Sequence, residues 1–193
     1  FGAFQCNLLL EGFYTRLNHV FVLEEIGKDE EHNAVIKERR NGQGAEVAGV
    51  TVEGKVAYLS LVQLQAGVTW QKSHYTRPEK WSKDSSVPAE KRIFRTPDWY
   101  GYFTATYSPV KPLNIALSGT YTGSMIVQHM KGYIPKDIAV TTPDFFDMNL
   151  KISYDFSLYK FITLQLNAGI QNIFNAYQRD FDQGKERDSG YIY

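Results

Sequence analysis

The residues best suited to bind a cation or act as acids and bases are carboxylates, which cluster in two polar segments of the chain. The first segment, EEIGKDEEH (24–32), could attract a cation, but it lacks the alternating Asp/Asn/Gly order of a calcium loop. The second, RDFDQGKERDSG (179–190), mixes its carboxylates with three basic residues, which favours ion pairing inside the segment. We therefore expect two solvated loops and no bound metal. The four carboxylates of the second segment are Asp180, Asp182, Glu186 and Asp188.

Signatures of enzyme chemistry are absent from the sequence. It contains no Gly-x-Ser-x-Gly elbow, no phosphate-binding loop and no Cys/His set with zinc spacing. The single cysteine, Cys6, cannot form a disulfide within the chain and suits a role as a small apolar residue. The histidines are scattered, and we expect each to be a solvated loop or strand-end residue and not a metal or haem ligand: His19, His32, His74 and His129. The sequence therefore predicts a protein that is not an enzyme and needs no cofactor.

The bulk composition excludes two further classes of protein. With 21 basic and 21 acidic residues the formal net charge is zero, so the overall charge gives no reason to expect nucleic acid as a partner. No stretch approaches the roughly 18–20 apolar residues of a membrane-spanning helix, which excludes a helical membrane protein. A membrane β-barrel stays open, because its alternating strands average out in a hydropathy window.

Apolar and polar residues alternate with period two along much of the chain, which is the pattern of β-strands with one apolar and one polar face. In the clearest case, Ile162, Leu164 and Leu166 alternate with Thr163 and Gln165. No helical pattern is comparable, so we predict an all-β fold, an antiparallel meander of about seven strands. The predicted strands are residues 3–16, 44–57, 62–71, 98–108, 113–122, 148–156 and 162–171.

The connections between these strands alternate between tight and long. Residues 108–112 and 157–160 are short turns, and a third turn near Tyr58 to Ser60 carries no Gly, Pro or Asn. Short turns at one end and long loops at the other are typical of an outer-membrane barrel. A soluble β-sandwich stays open as the alternative, because alternation does not show whether the apolar face meets lipid or a second sheet. The long, polar connections are residues 26–43, 77–97 and 128–143.

Aromatic residues cluster at both ends of the strands, where the interface belts of a membrane barrel would lie. One predicted belt, beside the long loops, contains Trp70, Tyr75, Trp99, Tyr100, Tyr102 and Tyr121. The other, beside the short turns, contains Tyr107, Tyr154, Phe156, Tyr159 and Phe161.

The stretch GIQNIFNAYQRDFDQGKERDSGYIY (169–193) resembles the penultimate strand and last extracellular loop of TonB-dependent outer-membrane receptors, especially those of Bacteroidetes-type bacteria. That family carries a Gly-x-x-Asn-x-Phe-Asn run followed by a charged loop with Arg-Asp and Gly-Tyr. The matching residues are Gly169, Asn172, Phe174, Asn175, Arg187, Asp188, Gly190 and Tyr191. Segments 11–21, 39–55, 95–109 and 117–125 resemble successive barrel segments of the same family.

The resemblance implies that residues 1–193 are a single partial domain, the C-terminal part of a barrel of about 22 strands, without its plug domain and last strand. The parent protein would be a receptor in the outer membrane of a Gram-negative bacterium. It would import a ferric siderophore, haem or cobalamin with energy transmitted by TonB and without covalent chemistry. The implied partners are TonB, the plug domain, outer-membrane lipid and a large nutrient ligand, and no nucleic acid. The isolated fragment would expose two sheet edges and could self-associate through them.

For the family motif we expect structural roles. Gly169 lies on the polar face, where its lack of a side chain would let a lumen group or the plug approach closely. The Asn172 and Asn175 amides would bond to backbone groups that leave the ladder, and Arg187 and Asp188 would find partners in the closing loop.

Ligand contacts would come from the extracellular loops, where aromatic side chains offer large, rigid contact areas. The candidate contacts are His74, Tyr75, Trp81, His129 and Tyr133. Two other functions stay open: a passive porin-like barrel, and a soluble β-sheet module that binds carbohydrate or another ligand, with Trp81 and Trp99 as stacking platforms.

Overall fold

The fold is built from one large antiparallel sheet with short hairpins at one end. The computed structural model describes residues 3–32, 34–131 and 134–177. In chain order the strands are β1 (Phe4–Leu17), β2 (Phe21–Asp29), β3 (Ala34–Asn41), β4 (Ala45–Tyr58), β5 (Val62–Glu79), β6 (Glu90–Arg92), β7 (Trp99–Val110), β8 (Leu113–Thr122), β9 (Ile126–His129), β10 (Ile138–Thr141), β11 (Phe145–Tyr159) and β12 (Ile162–Ile170).

The seven long strands pair in the order β1-β4-β5-β7-β8-β11-β12, so each long strand lies beside the next long strand in the sequence. All of these pairings are antiparallel. The predicted all-β meander of seven strands is therefore confirmed. Among the described residues, none forms a helix long and apolar enough to cross a membrane.

The connections of the sheet are strongly asymmetric, as the sequence predicted. Three short turns lie at one end of the sheet and three long connections at the other. The turns are residues 59–61, 111–112 and 160–161, and the long connections are residues 18–44, 80–98 and 123–144.

The long connections contain regular structure that the sequence did not predict. β2 and β3 form a hairpin, β9 and β10 form another, and β6 pairs with the end of β5. β5 itself continues to Glu79, beyond the predicted end at Gln71. The alternation of apolar and polar residues fades here because both faces meet solvent: in β3, the run from Lys37 to Arg40 is exposed without interruption. Period two arises only where one face differs from the other.

The turn between β4 and β5 lies one residue beyond its predicted position and lacks the usual turn residues for a local reason. Leu59 takes up the left-handed conformation with φ of 51°. The Leu61 N–H closes the turn by donating to the Tyr58 carbonyl at 3.1 Å. A leucine rarely adopts this conformation, so no residue type marked the turn in the sequence.

The sheet has one apolar and one polar face, and the cross-strand register keeps each face continuous over all seven strands. Row by row, apolar residues pair with apolar ones: Cys6 with Val56, Val56 with Leu64, and Leu64 with Ala105. From the short turns up to Trp70 and Trp99, this apolar face carries no charged side chain among the described residues.

Burial in this sheet is the reverse of that in a soluble protein. In β5, the apolar Leu64 and Val68 are 45% and 43% exposed, whereas the polar Thr69 and Gln71 are 6% and 9% exposed. Soluble sheets bury the apolar face and expose the polar one. No second sheet covers the apolar face within the described part of the chain. The soluble sandwich that the sequence left open therefore lacks its second layer here.

Hydrogen bonds between neighbouring strands hold the polar face together. Gln65 Nε2 donates to Glu53 Oε1 at 2.8 Å and to the Tyr102 hydroxyl at 3.1 Å, and so links three strands. The hydroxyls of Thr51 and Thr69 lie 2.9 Å apart. These bonds satisfy side chains that would otherwise lose hydration on the more buried side of the sheet.

The aromatic belts are divided between the two faces. Trp70 and Trp99 pack against each other on the apolar face, with ring centroids 6.3 Å apart, and Tyr121 lies on the same face. At the short-turn end, Tyr154 and Phe156 also contact each other on the apolar face. The aromatic belt beside the long loops is therefore smaller than predicted, because three of its six residues lie on the polar face by register. These three are Tyr75, Tyr100 and Tyr102.

Several strand glycines lie directly beneath an aromatic ring of the next strand. Tyr102 is the register partner of Gly67, and a Cβ added to Gly67 would lie 2.7 Å from Tyr102 Cε1. Phe13 covers Gly49 in the same way, with a ring carbon 2.5 Å from the added Cβ. These glycines make room for flat rings that pack down onto the sheet.

Gly67→Ala should therefore destabilise the sheet by about 1–3 kcal/mol, because the Tyr102 ring must move and its bond with Gln65 weakens. Urea-induced unfolding followed by circular dichroism would measure the change. Gly54→Ala is the matched control, since an added Cβ at Gly54 meets nothing within 4 Å. Equal effects of the two substitutions would show that the ring contact is unimportant.

Candidate functional site

The long-loop end of the sheet gathers the residues that could meet a ligand, and a buried carboxylate fixes the first hairpin there. Glu79, the last residue of β5, is buried and accepts the backbone N–H of Gln43 at 3.1 Å. Arg40 Nη2 of β3 lies 3.9 Å from the other Glu79 oxygen. Glu79 thus joins the base of the β2–β3 hairpin to the end of β5.

A second buried carboxylate clasps the two other long connections together. Asp137 Oδ2 accepts the Ser82 hydroxyl at 2.5 Å, and Asp137 Oδ1 accepts the backbone N–H of Lys131 at 2.6 Å. The Arg95 N–H donates to the Ile126 carbonyl at 2.8 Å, which adds a backbone link between the same two connections. We call this arrangement of Ser82 and Asp137 the loop clasp.

Apolar residues next to the loop clasp form a small core of their own. Val127 is fully buried, and Ile126 and His129 are nearly so. Connections with a core and buried hydrogen bonds differ from ordinary exposed loops, which lack both. Residues 80–98 therefore form one packed unit with the described residues of the second connection, 123–131 and 134–144.

Trp81 lies against a shallow cleft in this unit. Its indole N–H donates to the Pro88 carbonyl at 3.1 Å, and its ring meets Phe94 edge-on at 5.3 Å between centroids. The cleft holds about 280 Å³ between the two clasped connections. It is lined by Trp81, Ser86, Val87, Pro88, Glu90, Lys136, Asp137, Ile138 and Ala139.

The structure separates the predicted ligand contacts. By register His74 lies on the side of the apolar face, with Nε2 3.6 Å from Glu46 Oε2. Tyr75 lies on the opposite, polar side, Trp81 lines the cleft, and His129 is buried in β9. Tyr133 lies outside the described residues. The four described residues do not converge on a common point, since His74 and Tyr75 lie on opposite faces of β5, and the role of all five in binding stays a prediction.

Two carboxylates in the long connections have a lowered pKa. At the tip of the β2–β3 hairpin, a hydrogen bond with the His32 ring, 2.8 Å from Asp29 Oδ2, is the main cause that lowers the pKa of Asp29. The backbone N–H of Ser86 does the same for the pKa of Asp84. Both groups therefore stay negatively charged near neutral pH. In the described ranges, no three His, Cys, Asp or Glu side chains come together as a metal site.

The Gly-x-x-Asn-x-Phe-Asn run ends β12 with a compact turn. Asn172 Oδ1 accepts the Ala176 N–H at 2.7 Å, while Asn172 Nδ2 donates to the Ala176 carbonyl at 2.8 Å. Both Asn172 and Asn175 have φ of 50°, a conformation that asparagine tolerates better than most residues. Phe174 packs near Phe146, with centroids 6.0 Å apart.

Of the other motif residues, the structure describes only Gly169. A Cβ added to Gly169 would lie 2.7 Å from the Leu150 carbonyl oxygen, so this glycine gives space to the backbone of β11. Arg187, Asp188, Gly190 and Tyr191 lie outside the described residues.

The residues that organise this end of the sheet were missed by the sequence reading. Glu79 and Asp137 contact partners 36 and 55 positions away in the chain, and nothing in the local sequence marks these contacts. No sequence signal extends to them, because residues 71–74 are all polar and the alternation that identified β5 stops at Trp70.

Asp137→Ala should open the loop clasp, because the Ser82 hydroxyl and the Lys131 N–H lose a buried acceptor at a cost of about 1–3 kcal/mol. We expect faster amide hydrogen exchange in residues 80–98 as well as in 123–144. Lys136→Gln is the control, since it removes a neighbouring exposed charge and leaves the clasp intact. If exchange in 80–98 were unchanged in D137A, the two connections would not be coupled.

Asn172→Ala should destabilise the end of β12 for two reasons, the lost bonds to Ala176 and the positive φ. Asn172→Gly keeps the conformation and loses only the hydrogen bonds, so it should fall between the wild type and the alanine variant. Thermal unfolding would rank the three proteins, with a total effect of about 1–3 kcal/mol. Identical stability of all three would contradict a structural role for this side chain.

Comparison with known proteins agrees with this architecture. The family described as TonB dependent receptor-like, beta-barrel, matches residues 3–173, which include all seven long strands. The search of curated proteins found no match. Members of the family are outer-membrane receptors and transporters and not enzymes. The chain, with its open apolar face and asymmetric loops, therefore belongs to the TonB-dependent receptor-like β-barrel family.

Proposed function

We propose that residues 1–193 form the C-terminal part of the barrel wall of a receptor in the outer membrane of a Gram-negative bacterium. The receptor imports a scarce nutrient, a ferric siderophore, haem or cobalamin, and TonB supplies the energy. The observation that carries the proposal is the reversed burial of the sheet, because exposed apolar rows beside buried polar rows suit a wall between hydrocarbon and an aqueous lumen.

The dimensions of the apolar face support this role. β5 and β7 pair over nine residue pairs, from Val62 with Tyr107 to Trp70 with Trp99. A tilted transmembrane strand needs about 9–11 residues to cross the hydrocarbon. Aromatic residues lie at both ends of this stretch, at the depth where amphipathic rings favour the interface. The apolar face therefore has the height and the borders of a lipid-facing band.

The polar face and the clasped loops divide the remaining tasks. The polar face, with its bonded Gln65 and Thr69, would line the lumen and meet the plug domain. The loop unit would contact the ligand, and Trp81 is the best supported of the five candidate residues because it lines a cleft. His74 is the least supported, since it lies on the side of the apolar face.

A charge placed in the middle of the apolar face tests the membrane location. Ala66→Lys should reduce the stability of the assembled receptor by about 2–4 kcal/mol, because the ammonium group would enter hydrocarbon at mid-depth. Thr104→Lys is the matched control at the same height on the polar face, and its effect should be small. The amount of heat-modifiable barrel in outer membranes would measure assembly. Equal loss in the two variants would contradict a lipid-facing Ala66.

Uptake in the same cells separates a TonB-dependent receptor from a passive pore. Uptake of the radiolabelled nutrient should follow the amount of assembled receptor in A66K and T104K cells, and it should stop when TonB is deleted. Uptake that continues without TonB would indicate a passive porin-like barrel.

A further inference from the structure

The apolar face ends, on the side of the long loops, in a group of charged residues. Trp70 and Trp99 form the last uncharged row, and the next residue of β5 on this face is Lys72, followed by His74. His74 is the register partner of Glu46, and Glu46 is the register partner of Arg16. Arg92 of β6 pairs with His74 from the other side. We call these residues, Arg16, Glu46, Lys72, His74 and Arg92, the outer charged row.

The cations of the outer charged row are exposed, and two of them form ion pairs at the surface of the sheet. Arg16 Nε lies 3.5 Å from Glu46 Oε1, and the Arg16 and Lys72 side chains are each 59% exposed. Lys72 forms an ion pair with Asp98. Exposed pairs of this kind contribute little stability, so a stronger anion can share or replace the carboxylate at small cost.

The sign of the charge is biased at the β1–β6 side of this border, in a chain that is neutral overall. In the outer charged row and its partner Asp98, three permanent cations, Arg16, Lys72 and Arg92, and one histidine stand against the two carboxylates Glu46 and Asp98. A third carboxylate, Asp144, lies farther along the border, where it accepts the Tyr121 hydroxyl. The apolar rows between these residues and the short turns hold no charged side chain in the described part of the sheet. The positive charge on this face is therefore confined to the border beyond the Trp70–Trp99 pair.

We infer that the outer charged row docks the phosphate headgroups of the membrane leaflet on the long-loop side. The inference rests on the proposed function, because it needs the apolar face to lie in lipid. In a bilayer the aromatic belt lies at the interface and the headgroup phosphates lie just outside it. Long Lys and Arg side chains reach this level while their stems stay on apolar surface. The height, the charge and the face of this row all match a lipid phosphate.

A nutrient in the lumen cannot use the same cations. Tyr75, Ser73 and Gln71 point to the polar face, opposite to His74 and Lys72. A ligand held between the loops and the plug would meet that polar face, and the sheet would separate it from the outer charged row. The phosphate source is therefore the surrounding lipid and not the imported ligand.

The test uses the full receptor in phosphatidylcholine nanodiscs with and without lipid A. Native mass spectrometry would count the lipid A molecules that stay bound, and thermal unfolding would measure the stabilisation they give. Lys72→Gln and Arg16→Gln should each weaken lipid A binding about fivefold, the effect of one cation near a charged membrane surface. Lys72→Arg should keep it. Lys151→Gln is the matched control, because Lys151 lies on the polar face, where Ala116 and Gly169 are its register partners.

Each outcome decides the inference. Equal lipid A retention in K72Q, R16Q and K151Q would overturn it, and so would full competition by inorganic phosphate, which would indicate a site for free anions. A failure of the membrane location itself looks different, because the wild type would then not enter nanodiscs as a heat-modifiable barrel. Normal insertion with unchanged lipid A binding in K72Q would remove only the headgroup site.

Discussion

The structure depends on one constraint: no other part of the described chain packs against the apolar side of the sheet. Within the described residues, seven strands keep valine, leucine, isoleucine and aromatic side chains in register on that side, while no second layer covers them. In water such a face would be a large exposed apolar patch and a liability for aggregation. In hydrocarbon it costs nothing, and the backbone ladder pairs β4, β5, β7, β8 and β11 on both sides. The reversed burial of Val68 and Thr69 follows from this single fact.

On the polar side of the sheet and in the loops, buried polar groups need hydrogen-bond partners within a limited space. On the sheet, the bonds of Gln65 to Glu53 and Tyr102 link three strands, and glycines such as Gly67 give the rings room. In the loops, Glu79 and Asp137 act as buried acceptors for distant partners. Buried carboxylates need such partners, because an unpaired charge would be expelled or neutralised. The long connections therefore behave as parts of the fold, and they present a defined cleft beside Trp81.

The sequence predicted the features that repeat and missed those that do not. Period-two alternation identified all seven long strands, and the lengths of the connections identified the two ends of the sheet. The turn at Leu59 was hard to locate because a leucine adopts a conformation that normally marks glycine or asparagine. The β2–β3 hairpin was missed because both of its faces meet solvent. Glu79 and Asp137 were missed because their partners are distant in sequence, so only the folded chain reveals them.

The most direct test of a lipid-facing apolar side is to measure how often spin labels on β5 collide with small paramagnetic reagents. Labels placed one at a time at residues 63, 64, 65, 66 and 68 of β5, in a Cys6→Ala background that removes the native thiol, would report lipid and water contact in the membrane-embedded receptor. We predict strict alternation, with labels at 64, 66 and 68 meeting oxygen dissolved in hydrocarbon and labels at 63 and 65 meeting a water-soluble nickel chelate. Labels at 64, 66 and 68 that meet the nickel chelate, or that meet neither reagent because protein covers them, would contradict a lipid-facing apolar side.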